Sequence, residues 1–294
     1  MPSLKAIRKR ITSVKNTRKI TKALKLVAAA KLRRAQEAII AARPYSQALT
    51  QVVGELSAVA GRDSHELFEE RPVKKASIIV VTSDRGLAGS FNTNVIKAVE
   101  RTVAGELESA SEVSLRIIGK KANQHFTRRN SQIASFDGAP TGPNALALAR
   151  ETANRVIADF KTAKVDRVYI AFNEFKGAGS QVVRMTQLLP VVPENKPATD
   201  DGHGATTETD YLYEPSKEKL LARLVPLYVQ IQIYRATLES IAAFFGAQMM
   251  SMENATKNAG EMINRYTLQY NRARQASITK ELLEIIGGAE ALKG

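Results

Sequence analysis

The 294-residue chain contains no cysteine, so neither disulfides nor thiolate metal sites are available to it. Its three histidines, His65, His125 and His203, lie far apart in sequence and offer no metal-ligand spacing. No apolar run approaches the ~20 residues needed to cross a bilayer. The first residues are basic and amphipathic but lack the apolar segment of a secretory leader, so neither export nor membrane insertion is expected. The Gly-Lys-Ser/Thr of a phosphate-binding P-loop and the three-glycine dinucleotide fingerprint are both missing, as is any serine-nucleophile motif. The pairs Glu69-Glu70 and Asp200-Asp201 stand near proline or glycine and read as solvated loop charges. Two further shortages are local. Residues 1–36 carry twelve Lys or Arg and no acid. Residues 216–286 hold Pro226 as their only proline and Gly246 and Gly260 as their only glycines.

That last shortage marks the dominant feature. A 3-4 apolar spacing runs through Leu224, Leu227, Ile231, Tyr234, Leu238, Ile241, Phe245, Gln248, Met252, Ala255, Ala259, Met262 and Tyr266. A seam held this long specifies a coiled-coil helix, about 105 Å in length, too long to stay within its own domain. Leu4, Ile7, Ile11 and Val14 keep the same spacing at the other terminus. There the phase slips near Asn16–Thr17 and resumes at Ile20, Leu24 and Val27. Helical character continues to about Ser57, with Pro44 expected to kink or break it. Two seams at opposite termini suggest an antiparallel pair, slimmest where Ala255, Ala259, Ala273 and Ala276 permit close approach.

The middle alternates strand and helix. Ala76–Thr82 reads as a buried parallel strand, followed by the loop Ser83–Ser90 and a helix over Asn92–Leu107. Ser114–Ile118, Arg167–Phe172 and Gln181–Leu188 read as strands, and Lys120–Arg128 and Asn144–Phe160 as helices. Val192–Thr209 reads as a surface loop. The pattern is an α/β layer with crossover connections. Gly86 and Gly89 are read as easing the turn into a helix rather than cradling phosphate. Met249, Met250 and Met252, at helical spacing, read as core or adaptable contact surface.

The one-sided basic charge of residues 1–36 suits nucleic acid, anionic lipid or an acidic protein collar. The stretch has no aromatic residue to stack on bases. Two alternatives therefore stand beside a structural role: a nucleic-acid-binding coiled coil, or an α/β enzyme with a coiled-coil arm. The second requires catalytic residues at strand ends, and none is found.

Four blocks carry a resemblance. They are Ile7-Arg8 with Thr17–Ala23 and Val27–Ala29, the loop Asp84-Arg85-Gly86-Leu87-Ala88-Gly89 with Asn92, Asp210–Pro215, and Ile278-Thr279 with Glu281, Glu284, Gly288-Ala289 and Ala291. Together they resemble the γ subunit of bacterial-type F-type ATP synthases over the whole chain. The resemblance implies a non-catalytic rotor shaft whose fold is α/β, a long antiparallel coiled coil of N- and C-terminal helices plus a central Rossmann-like domain. It divides the chain into an N-terminal coiled-coil helix (1–58), a linker (59–76), an α/β foot (77–209) and a C-terminal coiled-coil helix (210–294). Implied partners are the hexamer of α and β subunits, the ε subunit and the c ring, on the cytoplasmic side of the cell membrane, with no nucleic acid and no direct membrane insertion. Arg274, Gln275 and Thr279 are implied contacts to a β subunit, and Tyr213 and Glu214 contacts to the c ring. No catalytic, cofactor-binding or metal-binding residue is expected.

Overall fold

A computed structural model describes residues 3–60, 64–108, 110–192 and 216–291. Its helices are α1 (Leu4–Ala60), α2 (Phe91–Ala104), α3 (Lys120–Thr127), α4 (Ala145–Lys161) and α5 (Lys217–Ala291). The strands are β1 (Lys75–Val81), β2 (Glu112–Ile118), β3 (Ile133–Asp137), β4 (Arg167–Gly177) and β5 (Ser180–Leu189). The chain divides into two compact units, Met1–Ala29 with Gln248–Gly294, and Ala30–Ala247. Both long helices contribute to both units.

Ala30–Ala247 holds a five-stranded sheet in the order β3-β2-β1-β4-β5. β1 pairs in parallel with β2 and β4, β2 in parallel with β3, and β5 closes the edge antiparallel to β4. Six of the seven β1 residues are buried, because this central strand is covered on both faces. Ala76, Ile78 and Val80 face Val95, Val99 and Phe126 from α2 and α3. Ile79 and Val81 face the opposite way, into a core with Val156 and Phe160 of α4, Leu49 and Val53 of α1, and Val225 and Val229 of α5. Fully burying each such side chain contributes about 1.5–3 kcal/mol. Strand β3 was absent from the sequence reading because its alternate residues are half-buried and its polar Ser135 and Asp137 interrupt any β-branched run.

Pro44 neither breaks nor ends α1, which runs through it. Proline cannot donate to the carbonyl of residue 40, but Ile40 and Pro44 are both exposed, so water can satisfy that carbonyl. Within this unit the two long helices run antiparallel. The Lys31 ammonium lies 5.4 Å from the Phe245 ring centre, and Gln232 Nε2 donates to Thr50 Oγ1 at 3.4 Å.

The unit of Met1–Ala29 and Gln248–Gly294 is the same antiparallel pairing without a sheet. Thr21 and Thr256 share a hydroxyl hydrogen bond at 2.8 Å, and Lys25 Nζ donates to Glu253 Oε1 at 2.7 Å. The phase slip expected near Asn16 does not occur. The inward positions of α1 include Leu4, Ile7, Ile11, Val14, Thr21, Lys25 and Ala28, an unbroken 3-4 alternation once exposed Arg18 is counted; of the expected shifted seam only Leu24 is half-buried, beside Lys25. Polar residues occupy the seam over this heptad, and Ile20 and Val27 point outward, 60% and 53% exposed. On α5 the seam runs Met252, Thr256, Ala259, Ile263, Tyr266, Tyr270, Ala273 and Ser277. Met262, expected inside, is 51% exposed, and Ala276 is exposed too. The step from Met252 to Thr256 spans four residues rather than three, which brings Ile263 inward in place of Met262.

Candidate functional site

In doubly wound α/β folds, ligands bind outside the carboxyl ends of the parallel strands. In this chain that place is filled from within. Gly119 follows β2 with φ of 102°, and a Cβ there would stand 2.3 Å from the Thr82 carbonyl oxygen, so only glycine fits the crossing. Thr82 Oγ1 donates to the Ile118 carbonyl at 3.2 Å and accepts from the Ala122 N–H at 3.1 Å. The Asp84 carboxylate accepts from the N–H of Lys120, the first residue of α3, at 2.9 Å and from the Ala139 N–H at 3.0 Å. A phosphate held at a helix N-terminus would use such donors; Asp84 already does. Asn92 Oδ1 accepts from both the N–H and hydroxyl of Ser83, at 2.9 and 3.0 Å, pinning the loop between β1 and α2. Gly89 adopts φ of 55°, as a tight turn requires, but the other left-handed residue is Leu87 (φ 65°), not Gly86. Leu87 is 61% exposed.

His65 and His125 do not converge. His65 Nδ1 accepts from the Leu67 N–H at 3.1 Å, and its pKa is depressed by burial and then by nearby Lys161. His125 Nε2 lies 2.8 Å from Glu100, and His203 is outside the described residues. Among the described residues no cluster of His, Cys, Asp or Glu could hold a metal ion, and no helix is long and apolar enough to cross a membrane.

The paired helices present exposed surface. Arg274, Gln275 and Thr279 are all exposed. Gln275 and Thr279, four residues apart, share one helical face, and the Thr279 hydroxyl donates to the Gln275 carbonyl at 3.0 Å. At 3-4 spacing the same stripe takes in Leu268, Arg272, Leu282 and Ile286, roughly opposite the seam. Arg274 stands on the adjoining stripe with Ile278, Glu281 and Ile285, and makes no ion pair among the described residues. Residues 278–289 are exposed throughout, with Leu282, Leu283, Ile285 and Ile286 between 54% and 67% accessible. So much uncovered apolar surface marks an interaction region. Tyr213 and Glu214 lie outside the described residues.

A second exposed apolar surface, not expected from the sequence, lies on α1. Ile20 and Val27, one heptad apart, and Leu26 (63% exposed) form an outward apolar group among the exposed cations Arg18, Lys19 and Lys22. The signal was present, as the apparent slip of the seam. Of the cations between residues 3 and 29 only Lys25 is half-buried, on Glu253; the others are exposed, with no acid of their own segment to balance them.

The chain matches the sequence family described as ATP synthase over residues 3–292. It is 47% identical over 294 residues to the ATP synthase gamma chain of Trichlorobacter lovleyi, covering 100% of both chains. To that of an Anaeromyxobacter species it is 48% identical over 301 residues, again covering both completely. Among solved structures it resembles a chain of the Tetrahymena thermophila mitochondrial ATP synthase central stalk and c-ring, with TM-score 0.59 and 25% identity over 80% of this chain and 99% of that one. It also shares the fold of a chain of the Euglena gracilis mitochondrial ATP synthase, with TM-score 0.66 and 20% identity over 98% and 94% of the two chains. With its terminal helices paired antiparallel beside a doubly wound sheet whose ligand edge is self-filled, the chain belongs to the ATP synthase γ-chain family.

Proposed function

We propose that this chain is the central rotor shaft of an F-type ATP synthase. In this reading the paired terminal helices enter a hexamer of α and β subunits. The α/β foot sits with the ε subunit on the membrane c ring, at the cytoplasmic side of the cell membrane. Ion flow turns the ring and the chain with it, and the unequal faces of the shaft force each catalytic subunit in turn through binding, synthesis and release. The chain performs no chemistry itself. The likeness to a chain of the Tetrahymena thermophila mitochondrial ATP synthase central stalk and c-ring supports the c ring as a partner.

The observation that carries the reading is the exposed C-terminal part of α5. Its stripe of Leu268, Arg272, Gln275, Thr279, Leu282 and Ile286 combines apolar anchors with hydrogen-bonding groups and is uncovered in the isolated chain. Arg274 is free to make charge-assisted bonds to a β-subunit carboxylate, and Gln275 to add neutral ones. Replacing Arg274 and Gln275 together by alanine should impair assembly or turnover of the complex while leaving the melting temperature of the isolated chain unchanged. A fully assembled double mutant with wild-type turnover would refute the contact.

A further inference from the structure

Residues 236–243 of α5 have no wet face. Ala236, Thr237, Leu238, Glu239, Ser240, Ala242 and Ala243 are buried and Ile241 is half-buried, whereas a helix lying on a domain exposes one side of every turn. The α/β part supplies three contacts to this ring. Ala88 and Phe91 cluster with Ala243 and Ala247 and with the rings of Phe175 and Phe244, Phe91 meeting Phe244 edge-on at 5.5 Å. At the irregular end of β4, between Phe175 and Gly177, the Phe175 N–H donates to Glu239 Oε2 at 3.0 Å. Two turns of α5 further on, a Cβ at Gly246 would lie 3.2 Å from the Ala178 carbonyl oxygen and 3.3 Å from the Phe175 ring. The tip of the β4–β5 hairpin therefore rests on the helix backbone. Lys176 and Arg184 both pair with Glu174, at 2.9 and 2.8 Å, and Asn173 Nδ2 donates to the Phe91 carbonyl at 3.2 Å. These bonds stiffen the hairpin and tie it to the head of α2.

Glu239 is 8% exposed. Packing alone would be served by alanine, as at 236, 242 and 243, and a buried carboxylate is costly unless it is bonded. Apolar contact is non-directional and permits a helix to turn about its axis. An aimed hydrogen bond and a hairpin tip seated at a missing side chain do not. The ring also stands at the end of its compact unit, which closes at Ala247.

We propose that Glu239 and Gly246 form a clamp by which the sheet grips α5 against twisting, so that torque enters the long helix here. Glu239 is thus a positioning residue, and the proposal rests on the rotor reading above. The test uses the reconstituted complex with Glu239→Ala, Glu239→Gln and Gly246→Ala variants. Amide exchange at Phe175 in the isolated chain should speed up about tenfold in E239A and stay near wild type in E239Q, which keeps an acceptor oxygen. Ion-driven ATP synthesis should fall several-fold in E239A and G246A, while ATP hydrolysis by the detached head, where the foot bears no load, stays at the wild-type rate. E239Q should restore synthesis. The clamp is overturned if E239A synthesises at the wild-type rate, if Phe175 exchange is unchanged, or if synthesis and hydrolysis fall together. Gly246→Ala, which leaves Glu239 in place, repeats the test if E239A fails to assemble. Wild-type synthesis that needs this chain at all separates failure of the clamp from failure of the rotor reading.

Discussion

Removing the Asp84 carboxylate tests whether the ligand edge of the sheet is self-filled. One oxygen, Oδ1, accepts from two backbone N–H groups, Lys120 at 2.9 Å and Ala139 at 3.0 Å. Hydrogen bonds to a charged group contribute about 1.5–3 kcal/mol each. The Lys120 bond is exposed and the Ala139 bond part-buried, so water replaces part of the first and the sum falls to about 2–3 kcal/mol. For a unit the size of Ala30–Ala247, Asp84→Ala should lower the melting temperature by about 5–10 °C. Asp84→Asn keeps an acceptor but loses the charge, and should cost roughly half as much. The assay is thermal unfolding of the purified chain followed by near-ultraviolet circular dichroism. An alanine variant melting within about 1 °C of wild type would refute the reasoning. So would an asparagine variant as unstable as the alanine one, since an aimed oxygen would then count for nothing.

Three further outcomes are expected. Gly119→Ala places a Cβ 2.3 Å from the Thr82 carbonyl at φ of 102° and should cost about 3 kcal/mol in urea unfolding, whereas Gly142→Ala, with nothing within 4 Å, should be neutral. Because the folded pKa of His65 is depressed from 6.5 by burial and Lys161, the folded state binds fewer protons there. Its contribution is then complete above pH 6.5 and lost as pH falls towards the lower folded value, and His65→Gln should flatten that part of a melting-temperature profile. Cysteines at positions 213 and 214 in the assembled complex should cross-link to c subunits, and cross-linking only to α or β would reverse the orientation of the shaft.

The long seams and the alternating strands were legible because each repeats a period over many residues. Where one residue had to stand for a tertiary fact, the sequence was mute or misleading. Ile20 and Val27 read as a shifted seam because a stripe of apolar spacing looks the same whether it faces a partner helix or the outside. Thr21 and Lys25 hold the seam only because Thr256 and Glu253 meet them there. Asp84 read as one residue of a glycine loop; its donor partner Ala139 lies 55 positions away. Pro44 breaks helices whose freed carbonyl is buried, and here that carbonyl is on the wet side. Arg274, Gln275 and Thr279 came from the family resemblance alone, since an exposed helix face does not declare what covers it.

The most direct test of the rotor reading is ion-driven ATP synthesis by vesicles carrying the reconstituted complex, prepared with and without this chain. The account expects synthesis only when the chain is present, and none from the chain alone. Equal synthesis in both preparations would contradict it.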